Sequence, residues 1–294
     1  MSEKTTTKSK YKRRSPAKEI FQRLAKNPGA IVGGVIVLIM VTLALLGNVI
    51  YDYEADIVAQ NMAERFVRPC WEHPFGTDNF GRDMLARIIY GARTSLPVGF
   101  VAVMVALVIG MILGAFAGYF GGVVENIIMR FMDIFAAVPF ILMSIALVSV
   151  MGASTFSLMI AVGVASVPNF TRITRAAVLT VRNQEFVESA RSIGCTNTEI
   201  IFQHIIPNCL SPIIVQVSLT IGGAIIDAAA LSFLGLGVQP PTPEWGTLLS
   251  AGRNYIRDYS YLTLFPGLVI MITVIAFNML GDGLRDAMDP KLKN

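Results

Sequence analysis

Uncharged, apolar stretches recur along this chain at lengths that a lipid bilayer accommodates. Asn27 to Tyr51 runs 25 residues without a charge, its apolar part beginning near Ala30. Further uncharged runs are Thr94 to Val124 (31 residues), Ile134 to Thr171 (38), Ile205 to Ile226 (22) and Tyr259 to Gly281 (23). A hydrocarbon core takes roughly 20 residues of helix per crossing, so each run except the 38-residue one reads as a single span. That long run carries Met151-Gly152-Ala153-Ser154 near its middle, which predicts two helices joined by a tight turn; one long tilted helix is the competing reading. The pattern therefore predicts six transmembrane helices. The first run exceeds the roughly 7–15 apolar residues of a secretory signal and reads as a retained span.

Composition agrees. Of 294 residues, 54% are hydrophobic and 15% charged, against roughly a quarter charged in ordinary soluble domains. The net charge of +4 does not mark a nucleic-acid binder, because the basic excess is concentrated at one end. Lys4, Lys8, Lys10, Lys12, Arg13, Arg14, Lys18, Arg23 and Lys26 crowd the N-terminal tail. Placing that tail in the cytoplasm puts 17 of the 24 basic residues on the cytoplasmic side, as the positive-inside rule requires, and six spans return the C-terminus to the same side. The expected organisation is a basic cytoplasmic tail over residues 1–28, unstructured before Ala17, and a transmembrane domain over 29–294. That domain has an outer loop 52–93, a cytoplasmic loop 172–210 and an outer loop 231–258.

Little in the chain suggests catalysis. Cys70, Cys195 and Cys209 form neither a CxxC pair nor an even-numbered framework, so neither a disulfide scaffold nor a zinc site is indicated. The two histidines, His73 and His204, fall on opposite sides of the predicted membrane. The phosphate-cradling pattern GxxxxGK[ST] does not occur. No internal repeat supports an inverted-repeat transporter.

The cytoplasmic segment from Phe186 to Pro207 reads as helix, break, helix. Phe186, Val187, Ala190 and Ile193 share an apolar face at helical spacing. Gly194 can take the left-handed conformation that ends a helix. Thr196 and Glu199 have capping-box spacing for a second helix, and Pro207 stops it or starts the next span. The expectation is a short hairpin at the inner membrane surface with an exposed tip.

Glu188-Ser189-Ala190, Gly194, and Ile206-Pro207 at the far end together resemble the EAA loop of ABC importer permeases. Ser189 stands where that family commonly has Ala, and His204 where an aliphatic residue is usual, although His there resembles the peptide-importer branch. Three further blocks resemble the C-type permease of the dipeptide/oligopeptide (peptide/nickel) family. They are His73 to Asp83 continuing at Tyr90 to Leu96; Leu231 to Gly237 with Gln239 to Gly246; and Gly281 to Asp286. The resemblance implies an all-α, type I ABC importer permease fold in a bacterial cytoplasmic membrane. It implies a second homologous permease in a heterodimer, two ATPase subunits holding ATP and Mg, and an extracytoplasmic peptide-binding protein, with no cofactor in this chain. It assigns ATPase coupling to Glu188, Ser189, Ala190, Gly194, Ile206 and Pro207. Binding-protein contact is assigned to the outer loop through Phe75, Gly76, Thr77, Asp78, Gly81, Arg82 and Asp83, whose bland alternative is a cap over helix ends. Nickel chelates or glutathione are alternative cargoes. A channel, a secondary transporter or a polytopic membrane enzyme is the reading from another class.

Ionisable residues inside a bilayer are functional candidates by default. Asp133 opens the third predicted span, where it can be solvated or pair with Arg130, and Asp227 falls late in the fifth. Ser218, Thr220, Gly222 and Gly223 precede Asp227, a composition that suits either close helix packing or a translocation path.

Overall fold

A computed structural model describes residues 16–288. Lys4 to Arg14 of the basic tail, with Lys291 and Lys293, lie outside the described residues, as does the expected lack of structure before Ala17 up to Ser15. Among the described residues the architecture is all-helical. A short amphipathic α1 (Pro16–Leu24) precedes α2 (Pro28–Ile50), α3 (Met84–Phe120), α4 (Gly122–Ala137), α5 (Phe140–Met151) and α6 (Thr155–Val181). The chain continues through α7 (Glu185–Ser192), α8 (Asn197–Glu199), α9 (Ile206–Asn208), α10 (Leu210–Phe233), α11 (Trp245–Gly252) and α12 (Tyr261–Met288).

Five helices, α2, α3, α6, α10 and α12, are long and apolar enough to cross a membrane. The pair α4–α5 meets the same criteria only when taken together and is bent by 90°, so the described residues hold five such spans, or six where that pair counts as one. Pro139 explains the bend: it lacks an N–H, and the residue before a proline is driven out of the helical region. Val138 accordingly sits at φ −82°, ψ 129°. The turn predicted at Met151 to Ser154 is present. Gly152 ends α5 at φ 84°, and the Ser154 hydroxyl accepts the Ser157 amide at 3.0 Å to cap α6.

Helices overrun the expected loop boundaries. α3 starts at Met84, inside the segment expected as outer loop, and is continuous through Pro97. Asp83 caps it, accepting the Ala86 amide at 2.8 Å. α6 runs ten residues past Thr171 to Val181, and α11 occupies part of the 231–258 loop.

Association between apolar helices in lipid depends on close approach of small residues, because lipid is as apolar as leucine. The α3–α6 seam illustrates this. Gly110, Gly114 and Gly118 lie at four-residue spacing on α3 and press on Phe170 to Thr171, Thr171 to Arg175, and Val178 of α6. A Cβ at Gly114 would stand 2.5 Å from the Thr171 carbonyl oxygen. Beside the seam, Arg182 Nη1 donates to the Gly118 carbonyl at 2.8 Å and Arg175 Nε donates to Glu125 of α4 at 2.7 Å. Gly33 of α2 makes a second close approach, against the backbone of α12 at Ala276. The central core joins α3, α6 and α10 through Ala102, Val103, Leu158, Val162, Phe170, Ile221 and Ile225.

Candidate functional site

The helical hairpin lies between α6 and α10. α7 ends at Ser192, Ile193 caps it, and Gly194 follows at φ 89°, a left-handed backbone that penalises any Cβ. Thr196 opens α8 with the expected capping box: its hydroxyl accepts the Glu199 amide at 3.3 Å and its own amide donates to Glu199 Oε2 at 2.7 Å. The bonds from Thr196 hold the Glu199 carboxyl below its usual range. A π-helical turn, Ile200–Ile205, carries the chain into α9. Ile200, Ile201 and Ile205 of this second arm are fully buried together with Val187 and Ala190 of α7, against Ala115 of α3 and Ala177, Val178 and Val181 of α6.

Glu188, Ser189 and Gly194 are exposed on the hairpin, whereas Ala190 and Ile206 are buried in its seat and Pro207 is exposed. Ser189 Oγ donates to the Glu185 carbonyl at 2.8 Å. Ile193 departs from the expected apolar face: it is 80% exposed, because α7 ends at Ser192 and the chain has left the helix before Ile193 can join the buried stripe. The tip thus presents a large aliphatic side chain, a carboxylate and a glycine turn. Tyr119 of α3 braces it, donating to Asn197 Oδ1 at 2.8 Å.

At the opposite end of the bundle, the loop before α3 is folded inward. Phe75 stacks on Phe265 at 4.1 Å between ring centroids. Gly76, at φ 74°, lies so close to Tyr261 and Val67 that a Cβ would stand 2.7 Å from each. Thr77 is fully buried and its hydroxyl accepts the Val67 amide. Gly81, at φ 75°, touches the backbone of Asn61. Asp83 accepts from or pairs with His73 Nδ1 at 2.8 Å. Asp78 is 6% exposed and is gripped by Arg82 and by Arg87, whose Nη1 lies 2.9 Å from Asp78 Oδ2. These motif side chains therefore knit the loop to α3 and α12. The projecting part of the same loop is Cys70 to Glu72, with Trp71 98% exposed.

A second knot at this end lies in the Gln239 to Gly246 block, where sequence alone assigned Glu244 and Trp245 no individual role. Glu244, almost fully buried, caps α11 by accepting the amides of Gly246 and Thr247 and also accepts the Ser95 hydroxyl of α3 at 3.1 Å. Trp245 is fully buried and its indole N–H donates to the Ile88 carbonyl at 3.0 Å. Burial pushes the Glu244 carboxyl up from its ordinary value, against the pull of those hydrogen bonds.

The remaining candidates fall apart from one another. Asp133 is exposed on α4 and pairs with Arg172 of α6 at 2.9 Å, not with Arg130. The long run was expected to open its span at Ile134, but α6 brings Arg172 back beside it. Ser218 and Thr220 donate to the carbonyls of Ile214 and Gln216 on their own helix. Asp227 is half-buried on the same helix, α10. Exposed Gly223 and the polar pair Gln216 and Thr220 share its side of the helix.

Comparison with known proteins places these features. The family model described as binding-protein-dependent transport system inner membrane component matches residues 110–294. The N-terminal TM domain of oligopeptide transport permease C matches residues 15–69. The dipeptide transport system permease protein DppC of Escherichia coli is 47% identical over 290 residues, covering 95% of this chain and 94% of that one. Its namesake in Alkalihalophilus pseudofirmus is 46% identical over 280 residues, 95% and 91% of the two chains. The glutathione transport system permease protein GsiD of Salmonella paratyphi A is 45% identical over 284 residues, 95% and 92% of the two chains. Among solved structures, the inward-facing MetNI methionine ABC transporter superposes with a TM-score of 0.57 at 18% identity, over 70% of this chain and 98% of that one. That likeness speaks for the fold alone.

Proposed function

The chain belongs to the inner-membrane components of binding-protein-dependent transport systems, and from that premise we propose that it is the C-type permease of an importer of di- and oligopeptides. It is a multi-pass protein of the bacterial inner membrane and a non-catalytic subunit, ATP being hydrolysed by partner ATPases. The finer assembly proposed is a heterodimer with a homologous permease, two ATPases carrying ATP and Mg, and an extracytoplasmic binding protein. Both termini and the hairpin face the cytoplasm in this reading. The hairpin docks on an ATPase through Glu188, Ser189 and the exposed Ile193, and the loop end meets the binding protein, with Trp71 as its most exposed contact.

The observation that carries the reading is the hairpin itself. An exposed tip with an uncovered isoleucine sits on a buried isoleucine seat between two spanning helices, a geometry suited to receiving force from a partner. Closure of the ATPases moves the tip, and the seat passes that movement to α3 and α6. Peptide passes through the pore as it switches between facing outward and facing inward. Glutathione, itself a peptide, is the second reading, favoured by the 45% identity to a glutathione permease.

Gly194→Asp tests the proposal. A Cβ at Gly194 meets nothing within 4 Å in this chain, so the change costs only the strain of a left-handed backbone, about 1–2 kcal/mol. Insertion and abundance in the membrane are expected to hold while transport, and stimulation of ATPase activity by the loaded binding protein, are lost. Glu188→Lys acts in the same direction. Near-normal transport and stimulation by Gly194→Asp in reconstituted complex would remove the hairpin from the coupling path.

A further inference from the structure

At the loop end of the bundle, a cavity of about 290 Å³ opens between the folded-in loop, the start of α3, the Pro240-Pro241 segment and α11. Two guanidiniums line it, Arg82 and Arg87, together with Asn79, Pro241, Leu248 and Leu262. Both cations are held by one acid. Asp78 Oδ2 receives Arg82 Nε at 2.8 Å and Arg87 Nη1 at 2.9 Å, while Oδ1 accepts the amides of Phe80 and Arg82. The lone pairs of Asp78 are therefore committed, and no other acidic group pairs with either arginine among the described residues.

The charges do not balance. One carboxylate faces two guanidiniums, leaving a surplus positive charge in a site where Arg87 is 5% exposed. The Nε–H of Arg87 is buried with no hydrogen-bond partner. An unpaired buried charge and an unmet buried donor are each unfavourable. Asp78 with Arg82 alone is already a neutral, hydrogen-bonded pair, so the surplus charge enters with Arg87. The missing negative charge is one that a carboxylate in the cavity supplies, and arginine binds carboxylates through paired N–H donors. The cavity is near the lower end of the size of small-molecule sites, with apolar walls and a few polar groups.

We propose that this cavity is a carboxylate-binding site and that its ligand is the C-terminal carboxylate of a short peptide, held by Arg87 with Arg82 beside it. The choice of peptide rests on the importer reading; the preference for a carboxylate rests on the cavity. The site would hold an incoming peptide by a group that all unmodified peptides share, at the mouth of the bundle, with the side chains lying against Leu248, Leu262 and Pro241.

The test uses the intact transporter in lipid nanodiscs without its binding protein. Ala-Ala, Ala-Ala amide and acetate are titrated by calorimetry. Ala-Ala is expected to bind at least tenfold more tightly than the amide, which keeps everything but the carboxylate, and more tightly than acetate. Arg87→Gln is expected to erase the difference between Ala-Ala and its amide, even where loss of its tie to Asp78 lowers the thermal midpoint. Equal binding of the two peptides, or no heat from either, overturns the proposal, and that comparison needs no variant. Acetate binding as tightly as Ala-Ala means an adventitious ion only and overturns the peptide assignment. So does a silent peptide titration accompanied by weaker docking of the binding protein to Arg87→Gln, which would give the carboxylate to that protein. Import of Ala-Ala by the complete wild-type system is measured in parallel. Import without binding at this cavity sinks the site and leaves the importer reading standing, whereas absence of peptide import sinks the reading.

Discussion

Gly114→Ala adds one methyl group at the tightest part of the α3–α6 seam. The new Cβ would lie 2.5 Å from the Thr171 carbonyl oxygen, 2.7 Å from Thr174 Cβ and 3.0 Å from the Arg175 amide nitrogen. Comfortable contact between such atoms begins near 3.5 Å, so the helices must part by about 1 Å locally. Two of the three obstacles are backbone, which no rotamer change relieves. Overpacking of this kind costs about 1–3 kcal/mol, while alanine gains about 1 kcal/mol over glycine in helix propensity. Gly223→Ala separates the two effects. Gly223 also lies within a spanning helix, but a Cβ there meets nothing within 4 Å, so it receives the propensity gain without the clash. Gly114→Ala is therefore expected to be less stable than Gly223→Ala by about 1–3 kcal/mol, a difference of several degrees in the thermal midpoint of the detergent-solubilised chain. If Gly114→Ala melts at or above Gly223→Ala, the seam is not packed as described and the glycine spacing on α3 has another cause.

Three other outcomes follow from the structure. An impermeant thiol reagent applied from outside is expected to label the exposed Cys70 and to leave the half-buried Cys195 and the buried Cys209 unlabelled; labelling of Cys195 from that side would reverse the proposed orientation. Asp133→Asn is expected to cost no more than about 1 kcal/mol and to leave transport intact, because the Asp133 and Arg172 side chains are 55% and 47% exposed and surface pairs contribute little; a large transport defect would return Asp133 to the pore. Glu244→Ala is expected to destabilise by about 1–3 kcal/mol by stranding the Ser95 hydroxyl and the amides of Gly246 and Thr247. Folding raises the Glu244 carboxyl above its ordinary value of 4.5, so the folded state holds that proton more tightly and the stability linked to it falls as pH rises from 4.5 through the raised value. The midpoint of wild type relative to Glu244→Gln should therefore decline over that interval, and a flat difference would refute the burial effect.

The spans were legible because a bilayer demands long apolar runs, and the Met151 to Ser154 turn because Gly152 and Ser154 are specific to a helix end and a helix start. The hairpin was legible for the same reason: Gly194 and the Thr196–Glu199 pair act locally, within four residues. What the sequence hid depends on contacts between distant segments. Gly110, Gly114 and Gly118 are spaced as a helix-packing stripe, a signal that could have been used, yet nothing in the sequence names α6 as the partner. The bend at Pro139 was written in the proline but was masked by the apolar run on either side. Ile193 was assigned to the buried stripe by periodicity alone, which carries no information about where α7 stops. The pairing of Asp133 with Arg172, and of two arginines with Asp78, joins residues by tertiary approach, and charge type alone left Arg130 an equally good partner.

The hairpin and the glycine seam acquire their meaning together. The buried isoleucines of the hairpin rest on Ala115, Ala177, Val178 and Val181, residues of α3 and α6, the two helices that the seam joins. Tyr119 adds a polar tie from α3 to Asn197, and Arg191 reaches the same hydroxyl at 3.4 Å. Close-packed interfaces transmit displacement instead of absorbing it. A push on the hairpin therefore cannot be taken up by sliding α3 against α6, because backbone already touches glycine along three successive turns. It moves the pair as one body. The other intimate contact, Gly33 on the backbone of α12, binds α2 to α12 instead. α10 stands between the two groups, touching α3 where Ile225 fills the space over Gly99 and α12 where Leu219 meets Gly281. Those two contacts are made by side chains that can change rotamer, unlike the backbone contacts within each pair. α10, which carries Gln216, Thr220, Gly223 and Asp227 on one face, thus joins the two groups through side chains able to change rotamer, while α2 also meets α3 directly where Gly47 packs on Arg93.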